Sequence, residues 1–180
     1  MNKWMLLTLV FLFILGGCGG KKADGISKED LGIIKMTNGK KVYYGMSRET
    51  AEKVLGSGEN SDMRMFKYDG GVSVFYRNGN VAAVVLDAES KGKYKTTHDV
   101  QIGMPKQTVV KAYGDKYMSS PSESNLDYVY DTNTNKFMDG YSRIIAKDAD
   151  KFYTISSMFD ENGNLQRMLL LDCSFAIFLQ

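Results

Sequence analysis

Two segments of this chain repeat one pattern at a fixed distance. Tyr44 to Gly56 (YGMSRETAEKVLG) aligns with Ile102 to Gly114 (IGMPKQTVVKAYG) at an offset of 58, with Gly, Met, Thr, Lys and Gly identical. Val74 to Asn80 (VFYRNGN) aligns with Met158 to Asn164 (MFDENGN) at an offset of 84. The second copy therefore carries 26 more residues between the two landmarks. Self-similarity at this scale makes each copy one supersecondary unit, too small to bury its apolar face alone.

The first landmark predicts a short helix. Ser47 can accept an orphan amide of the first turn, and Glu49 sits where the helix dipole favours an anion. Met46, Thr50/Ala51 and Val54/Leu55 recur at helical spacing, and Gly56 stops the helix where positive φ is needed. In the second copy Pro105 takes the serine's place, tolerated because its missing amide would be unpaired there, and Gly114 is the stop.

The second landmark predicts a hairpin. Gly71 to Arg77 (GVSVFYR) and Val81 to Asp87 (VAAVVLD) are β-rich runs, and Asn78-Gly79 between them accepts positive φ at both positions. Phe152 to Phe159, Asn162-Gly163 and Leu165 to Leu171 repeat the arrangement. Met63 to Tyr68 supplies a preceding strand in the first copy, and Leu126 to Asp131 with Tyr141 to Lys147 in the second. The additional 26 residues are expected to form a longer hairpin around Asp131 to Asn135. Ile33 to Met36, Lys41 to Tyr44 and Tyr94 to Gln101 are expected as strands before the helices. The apolar tail from Cys173 to Leu179 (CSFAIFL) predicts a last core strand, with a partner or membrane contact as the alternative. The expected class is α+β: two tandem modules, each a short helix on an antiparallel meander, forming a two-layer sandwich with a concave sheet face.

The start of the chain reads as an address. Lys3 precedes an apolar run from Trp4 to Leu15 that reaches only about 18 Å as a helix, short of a hydrocarbon core of about 30 Å. A signal peptide over 1–17 fits this pattern. Leu15-Gly16-Gly17-Cys18 then looks like a bacterial lipobox, which makes Cys18 the expected lipidation site and the first residue of the mature chain. Two or three acyl chains give stable attachment. Residues 18–30 are polar and rich in Gly and Lys, and read as a flexible tether. The modules are expected over 31–90 and 91–180. With Cys18 acylated, Cys173 is left alone in an apolar setting and is expected to be a buried thiol.

At this point the chain resembles a family. Gly-Met, then Ser or Pro, a Gly stop, a strand and the Asn-Gly turn resemble the β-lactamase-inhibitor-protein-like (BLIP-like) modules of bacterial envelope proteins. The pattern is similar to that of the small SmpA/OmlA-type lipoproteins of the outer-membrane barrel assembly machinery. The resemblance covers Ile33 to Leu171. It implies side-by-side modules forming one long sheet, with helices behind and a protein-binding face in front. The chain lacks the disulfide cysteines of the secreted inhibitor, and no inhibitor contact residue is carried over.

Chemistry is sparse. Lys+Arg 23 against Asp+Glu 21 gives +2, too little to recruit nucleic acid. Two cysteines and one histidine exclude a disulfide scaffold, a zinc finger and a multi-His metal site. His98 stands beside Asp99, but neighbours on a strand face opposite ways, so a surface histidine is expected. Asp131-x-Asn133-x-Asn135 begins like a calcium loop, yet has Lys136 where Gly makes the turn and Ser142 where Glu ligates. Asp160-x-Asn162-Gly163-Asn164 fails likewise at Leu171. Asp148 and Asp150 read as solvated turn carboxylates. No nucleophile elbow, phosphate loop or Cys-x-x-Cys occurs, so no catalytic residue, metal or cofactor is expected. Tyrosines and phenylalanines on the strands suit an interface. On VSVFYR, Val72/Val74/Tyr76 are placed against the helix and Ser73/Phe75/Arg77 on the open face. Phe75, Arg77, Tyr128 and Tyr130 are the candidate partner-binding residues. The expected function is a non-enzymatic envelope lipoprotein, anchored on the extracytoplasmic side of the cell membrane, that binds another envelope or extracellular protein as inhibitor or assembly factor. The alternative is a ligand- or substrate-binding lipoprotein of a transport or sensing system.

Overall fold

The structure is a computed structural model, and it describes residues 25–61, 64–118, 122, 124–140, 144 and 146–178. Each Gly-Met segment becomes a short helix as its sequence dictates. Helix α1 (Arg48–Leu55) has Ser47 as N-cap, whose Oγ accepts from the Thr50 amide at 3.3 Å. Helix α2 (Lys106–Tyr113) follows Pro105, which occupies the cap position and supplies no side-chain acceptor. Both stop on glycines of nearly the same conformation, Gly56 (φ 96°, ψ −165°) and Gly114 (φ 92°, ψ −168°). Their inward faces bury Ala51 and Leu55, and Val109 and Tyr113.

The strands form two antiparallel sheets. Strands β1 (Gly32–Lys35), β2 (Lys41–Tyr43) and β7 (Tyr94–Thr96) make a small sheet in the order β2-β1-β7. The remaining strands are β3 (Glu59–Asn60), β4 (Met65–Tyr68), β5 (Val72–Arg77), β6 (Asn80–Leu86), β8 (Asn125–Asp131), β9 (Lys136–Phe137), β10 (Phe152–Phe159) and β11 (Leu165–Asp172). They make an eight-stranded sheet in the order β3-β4-β5-β6-β11-β10-β8-β9. Asn78 (φ 52°) and Gly79 (φ 75°) close the β5–β6 turn, the double positive φ that matches hairpin twist.

The two sequence landmarks meet in the same way in both halves. The Gly45 amide donates to the Val81 carbonyl and the Val81 amide to Met46; the Gly103 amide donates to Leu165 and the Leu165 amide to Met104. Isolated bridges Ser47↔Asn80 and Pro105↔Asn164 complete the match. The offsets of 58 and 84 thus join one loop to one hairpin twice over. The architecture is α+β, dominated by antiparallel strands.

One continuous cluster fills the space between the long sheet, the helices and the small sheet. It includes Val72, Val74, Val84, Leu126, Ile155, Met168 and Leu170 from the long sheet, with Ile33, Val42 and Val109 from the elements above. Burial of this apolar surface, about 25 cal/mol per Å² removed from water, is what holds the helices down, since neither helix is long enough to persist alone.

Four expectations need correction. First, residues 25–30 are packed rather than tethering: Ile26 is buried in the main cluster, and Ser27 and Asp30 close a turn, the Ser27 amide donating to Asp30 Oδ2 at 2.7 Å. Residues 18–24 lie outside the described residues. Second, the 26 additional residues make more than a hairpin. Strand β9 pairs outside β8, and the chain returns by the 3-10 segment Ala146–Lys151, where a strand over Tyr141 to Lys147 was expected, to place β10 on the other side of β8; residues 141–143 and 145 lie outside the described residues. Third, the tail is helix α3 (Cys173–Phe178) rather than a strand. Asp172 turns the chain by accepting the Phe175 amide at 3.3 Å, the geometry of a helix N-cap. Fourth, β7, from the segment expected to open the second module, pairs with β1 of the first.

Candidate binding groove

Strand alternation puts every second residue of the long sheet on the face away from α1 and α2. Cross-strand register orders these residues into rows. One runs Met65, Phe75, Ala83, Leu171, Thr154, Val129 from β4 to β8. The next runs Lys67, Ser73, Val85, Leu169, Ser156, Asp127.

The first row is covered by the chain's own end. Phe175 of α3 packs on Phe75 with ring centroids 4.9 Å apart, in a cluster with Met65, Ala83, Val85 and Leu171. Further along, Cys173 and Ala149 cover Val129 and Phe152. Cys173 is buried as its setting predicted, its Sγ 3.1 Å from Thr154 Oγ1, and burial pushes the thiol upward from its ordinary pKa.

Beyond α3 the second row borders open space, although Ser73 and Val85 are themselves largely covered. Two contiguous hollows of about 570 and 440 Å³ share Lys67, Ser73, Asp87, Met158 and Arg167. Their floor is apolar where Met65, Val85, Leu169 and Phe175 line it. Their rim is charged: Lys67 is exposed on β4, and Arg167 Nε donates to Asp87 Oδ1 at 2.5 Å. An apolar floor within a polar rim is the general form of a protein-binding patch.

Of the predicted face residues, only Phe75 lies on this side, and Phe175 sits on it. The VSVFYR assignment holds up to Tyr76: Val72, Val74 and Tyr76 pack against the helix-side cluster, and Ser73 and Phe75 line the far face. Tyr128 is a correction. It is fully buried (0% exposed) under α2, with its hydroxyl donating to the Gly114 carbonyl at 2.7 Å. Tyr130 (8% exposed) is likewise on the helix side, beside Phe137, its hydroxyl donating to Asn135 Oδ1 at 3.3 Å. Both belong to the core because Leu126, Tyr128 and Tyr130 form the larger apolar set of an alternating strand, and the larger set is the one driven from water.

Arg77 is the other correction. Its guanidinium binds the fully buried Asp172 carboxylate, Nη1 donating to Oδ1 at 3.1 Å and Nη2 to Oδ2, and Nη2 also meets Tyr44 Oη at 3.1 Å. Tyr44 donates to Asp172 Oδ2 at 2.6 Å. The Asp172 contact raises the Arg77 pKa, and burial followed by the same carboxylate raises that of Tyr44. Arg77 is thus an internal tie. Cys18 lies outside the described residues.

The remaining polar residues have local roles. His98 is half-buried rather than a free surface residue: Nε2 is 2.7 Å from Asp30 Oδ1, and its ring lies 4.7 Å from that of Tyr113. Burial alone would raise the Asp30 carboxyl, but the hydrogen bonds from His98 and Ser27 outweigh it and hold the group below its ordinary pKa. Asp99 instead pairs with Lys95 at 2.6 Å. Asp131 and Asp160 spend their carboxylates on turn amides, at 2.8 Å to Asn133 and at 3.0 and 2.8 Å to Asn162 and Asn164. Among the described residues no cluster of three or more His, Cys, Asp or Glu is set to hold a metal ion, and no helix is long and apolar enough to cross a membrane.

Lys67, Leu169, Arg167 and Phe175 were not foreseen as a site. Leu169 and Arg167 sit in a strand whose period was visible, but the covering helix that bounds the groove was not. Against known proteins, no family model, no curated protein and no solved structure matches the chain.

Proposed function

We propose that this chain is a non-enzymatic lipoprotein, anchored through Cys18 on the extracytoplasmic side of the membrane, that binds another envelope protein in the groove beside α3. One observation carries the reading: beside α3 the long sheet leaves a groove whose floor is apolar, with half-buried Leu169 next to the edges of Met65, Val85 and Phe175, rimmed by Lys67 and the Arg167–Asp87 pair. An apolar floor inside a polar border has the form of a contact site. The groove is a half-open cleft rather than an enclosed cavity, which suits a protein loop or extended peptide better than a small enclosed ligand.

The BLIP-like resemblance supports two tandem modules. The repeated loop-to-hairpin hydrogen bonds and the matching glycine stops favour a duplicated unit whose second copy acquired β9 and the 3-10 segment as its additional residues. In this reading α3 and the second copy's additional residues cover part of the far face, and the groove is left where β4 to β6 of the first copy meet β11 of the second.

The test is a photo-crosslinking amino acid at position 67 in intact cells, followed by mass spectrometry of the adducts. One dominant envelope protein, absent with the crosslinker at exposed Lys40, supports the reading. Identical adducts from 67 and 40 count against it, and a small-molecule adduct would transfer the groove to a ligand-binding lipoprotein.

A further inference from the structure

The chain enters the fold at one end of the long sheet. A Cβ at Gly25 would stand 2.5 Å from the Tyr130 hydroxyl, and that hydroxyl donates to Asn135 in the β8–β9 turn. Gly25 therefore lies against the outermost hairpin, at the edge formed by β9. The seven residues from Cys18 to Gly25 span at most about 25 Å even when fully extended. The opposite edge, β3, is seven strand spacings from β9, about 34 Å at about 4.8 Å each. A lipid on Cys18 thus keeps the β9 edge within about 25 Å of the bilayer and sets no such limit on the β3 edge.

The surface at that edge has matching chemistry. A hollow of about 360 Å³ lies between the segment after α2 and the β8–β9 hairpin, with Lys116, Tyr117, Lys136, Phe137 and Met138 among its walls. Tyr117 is 43% exposed, with Met36 the most exposed of the large apolar side chains among the described residues. The Lys116 Nζ stands 5.7 Å over the Phe137 ring. Ammonium groups beside aromatic rings suit the headgroup layer, where the cation meets phosphate and the ring sits at the edge of the acyl chains. Asp139 also lines the hollow, so the attraction rests on the paired lysines and the aromatic rim rather than on a large net charge.

We infer that this hollow rests on the membrane, with Lys116 and Lys136 on phospholipid phosphates and Tyr117 and Phe137 in the interface. The inference depends on lipidation of Cys18. It stands the long sheet upright from the bilayer and points the Lys67 end of the groove, on β4 and β5, toward a partner away from the lipid.

The full-length protein, purified with its lipid and reconstituted in vesicles of phosphatidylethanolamine and phosphatidylglycerol, supplies the test. The only tryptophan is Trp4, within the signal peptide, so Tyr117→Trp and Asn60→Trp each give the processed chain a single reporter. With a nitroxide on the lipid headgroup, Trp at 117 should be quenched several-fold more than Trp at 60. Adding Lys116→Glu and Lys136→Glu should remove most of that difference while the circular dichroism stays unchanged. An intact mass on the same samples separates the two ideas. Acylated Cys18 with equal quenching at 60 and 117 overturns the orientation and leaves the anchor standing. Unmodified Cys18 overturns both.

Discussion

The Arg77 guanidinium forks onto the Asp172 carboxylate, joining the end of β5 to the end of β11, residues 95 positions apart. The same carboxylate takes the Tyr44 hydroxyl and the Phe175 amide. One buried acid therefore ties the loop before α1, the β5 end and the start of α3 together. A charge taken out of water survives only when such partners replace its hydration.

Removing one partner should cost more than the pair contributes. Arg77→Leu leaves Asp172 buried with two neutral donors, and a loss of about 3–5 kcal/mol is expected. Asp172→Asn should cost less, because the amide oxygen can still accept from Phe175. Urea denaturation of both variants at neutral pH checks the order.

Tyr128 separates packing from hydrogen bonding. Tyr128→Phe loses only the bond to the Gly114 carbonyl, about 0.5–1.5 kcal/mol. Tyr128→Ala also opens a cavity against Tyr113 and Phe137 and should lose about 3–5 kcal/mol. Thermal melts of the two proteins measure the difference, and equal losses would contradict the burial described for the ring.

The two helix stops should respond alike. A Cβ at Gly56 or Gly114 meets no atom within 4 Å, so alanine there costs only backbone strain. Both residues sit near φ +95° with ψ close to ±165°, a region essentially reserved for glycine, at about 1–3 kcal/mol per violation. Gly56→Ala and Gly114→Ala should each fall in that range and add in the double variant, read by denaturant midpoints.

Acid should loosen the N-terminal segment first. The Asp30 carboxyl is held below its ordinary pKa in the fold, so its stabilisation is complete above the unfolded value, near about 4, and is lost as pH falls through the lower folded value. The protection factors of the amides from 26 to 31, taken against the intrinsic exchange rate at each pH, should therefore fall below about pH 4, and Asp30→Asn should show the lower protection already at pH 7. Protection that is unchanged in Asp30→Asn would remove the His98–Asp30 contact from the account.

Much of the fold was legible because its signals were local. Ser47, Gly56, Asn78 and Gly79 each fix a cap or turn by their own chemistry, and the two offsets mapped onto real contacts between Gly45 and Val81 and between Gly103 and Leu165. The face of β5 was readable from its alternation. What escaped were choices decided at a distance. Tyr128 and Tyr130 have interface-like side chains, and only the helix lying over them shows that they are core. Arg77 faced solvent on a flat strand until Asp172 arrived from 95 positions away. The tail CSFAIFL has strand-like composition, and its helix is set by the preceding Asp172 and by the Phe75 ring beneath it.

The long sheet has its seam in the middle. Strands β6 and β11 pair there, β1 pairs with β7 across the same division, and Arg77 and Tyr44 hold Asp172 over it. A protease cutting in the exposed turn at Lys91–Gly92 would sever one chain and release nothing. The two pieces would remain a non-covalent dimer, and either piece made alone would present a bare strand edge that only its missing counterpart, or another copy of itself, could cover.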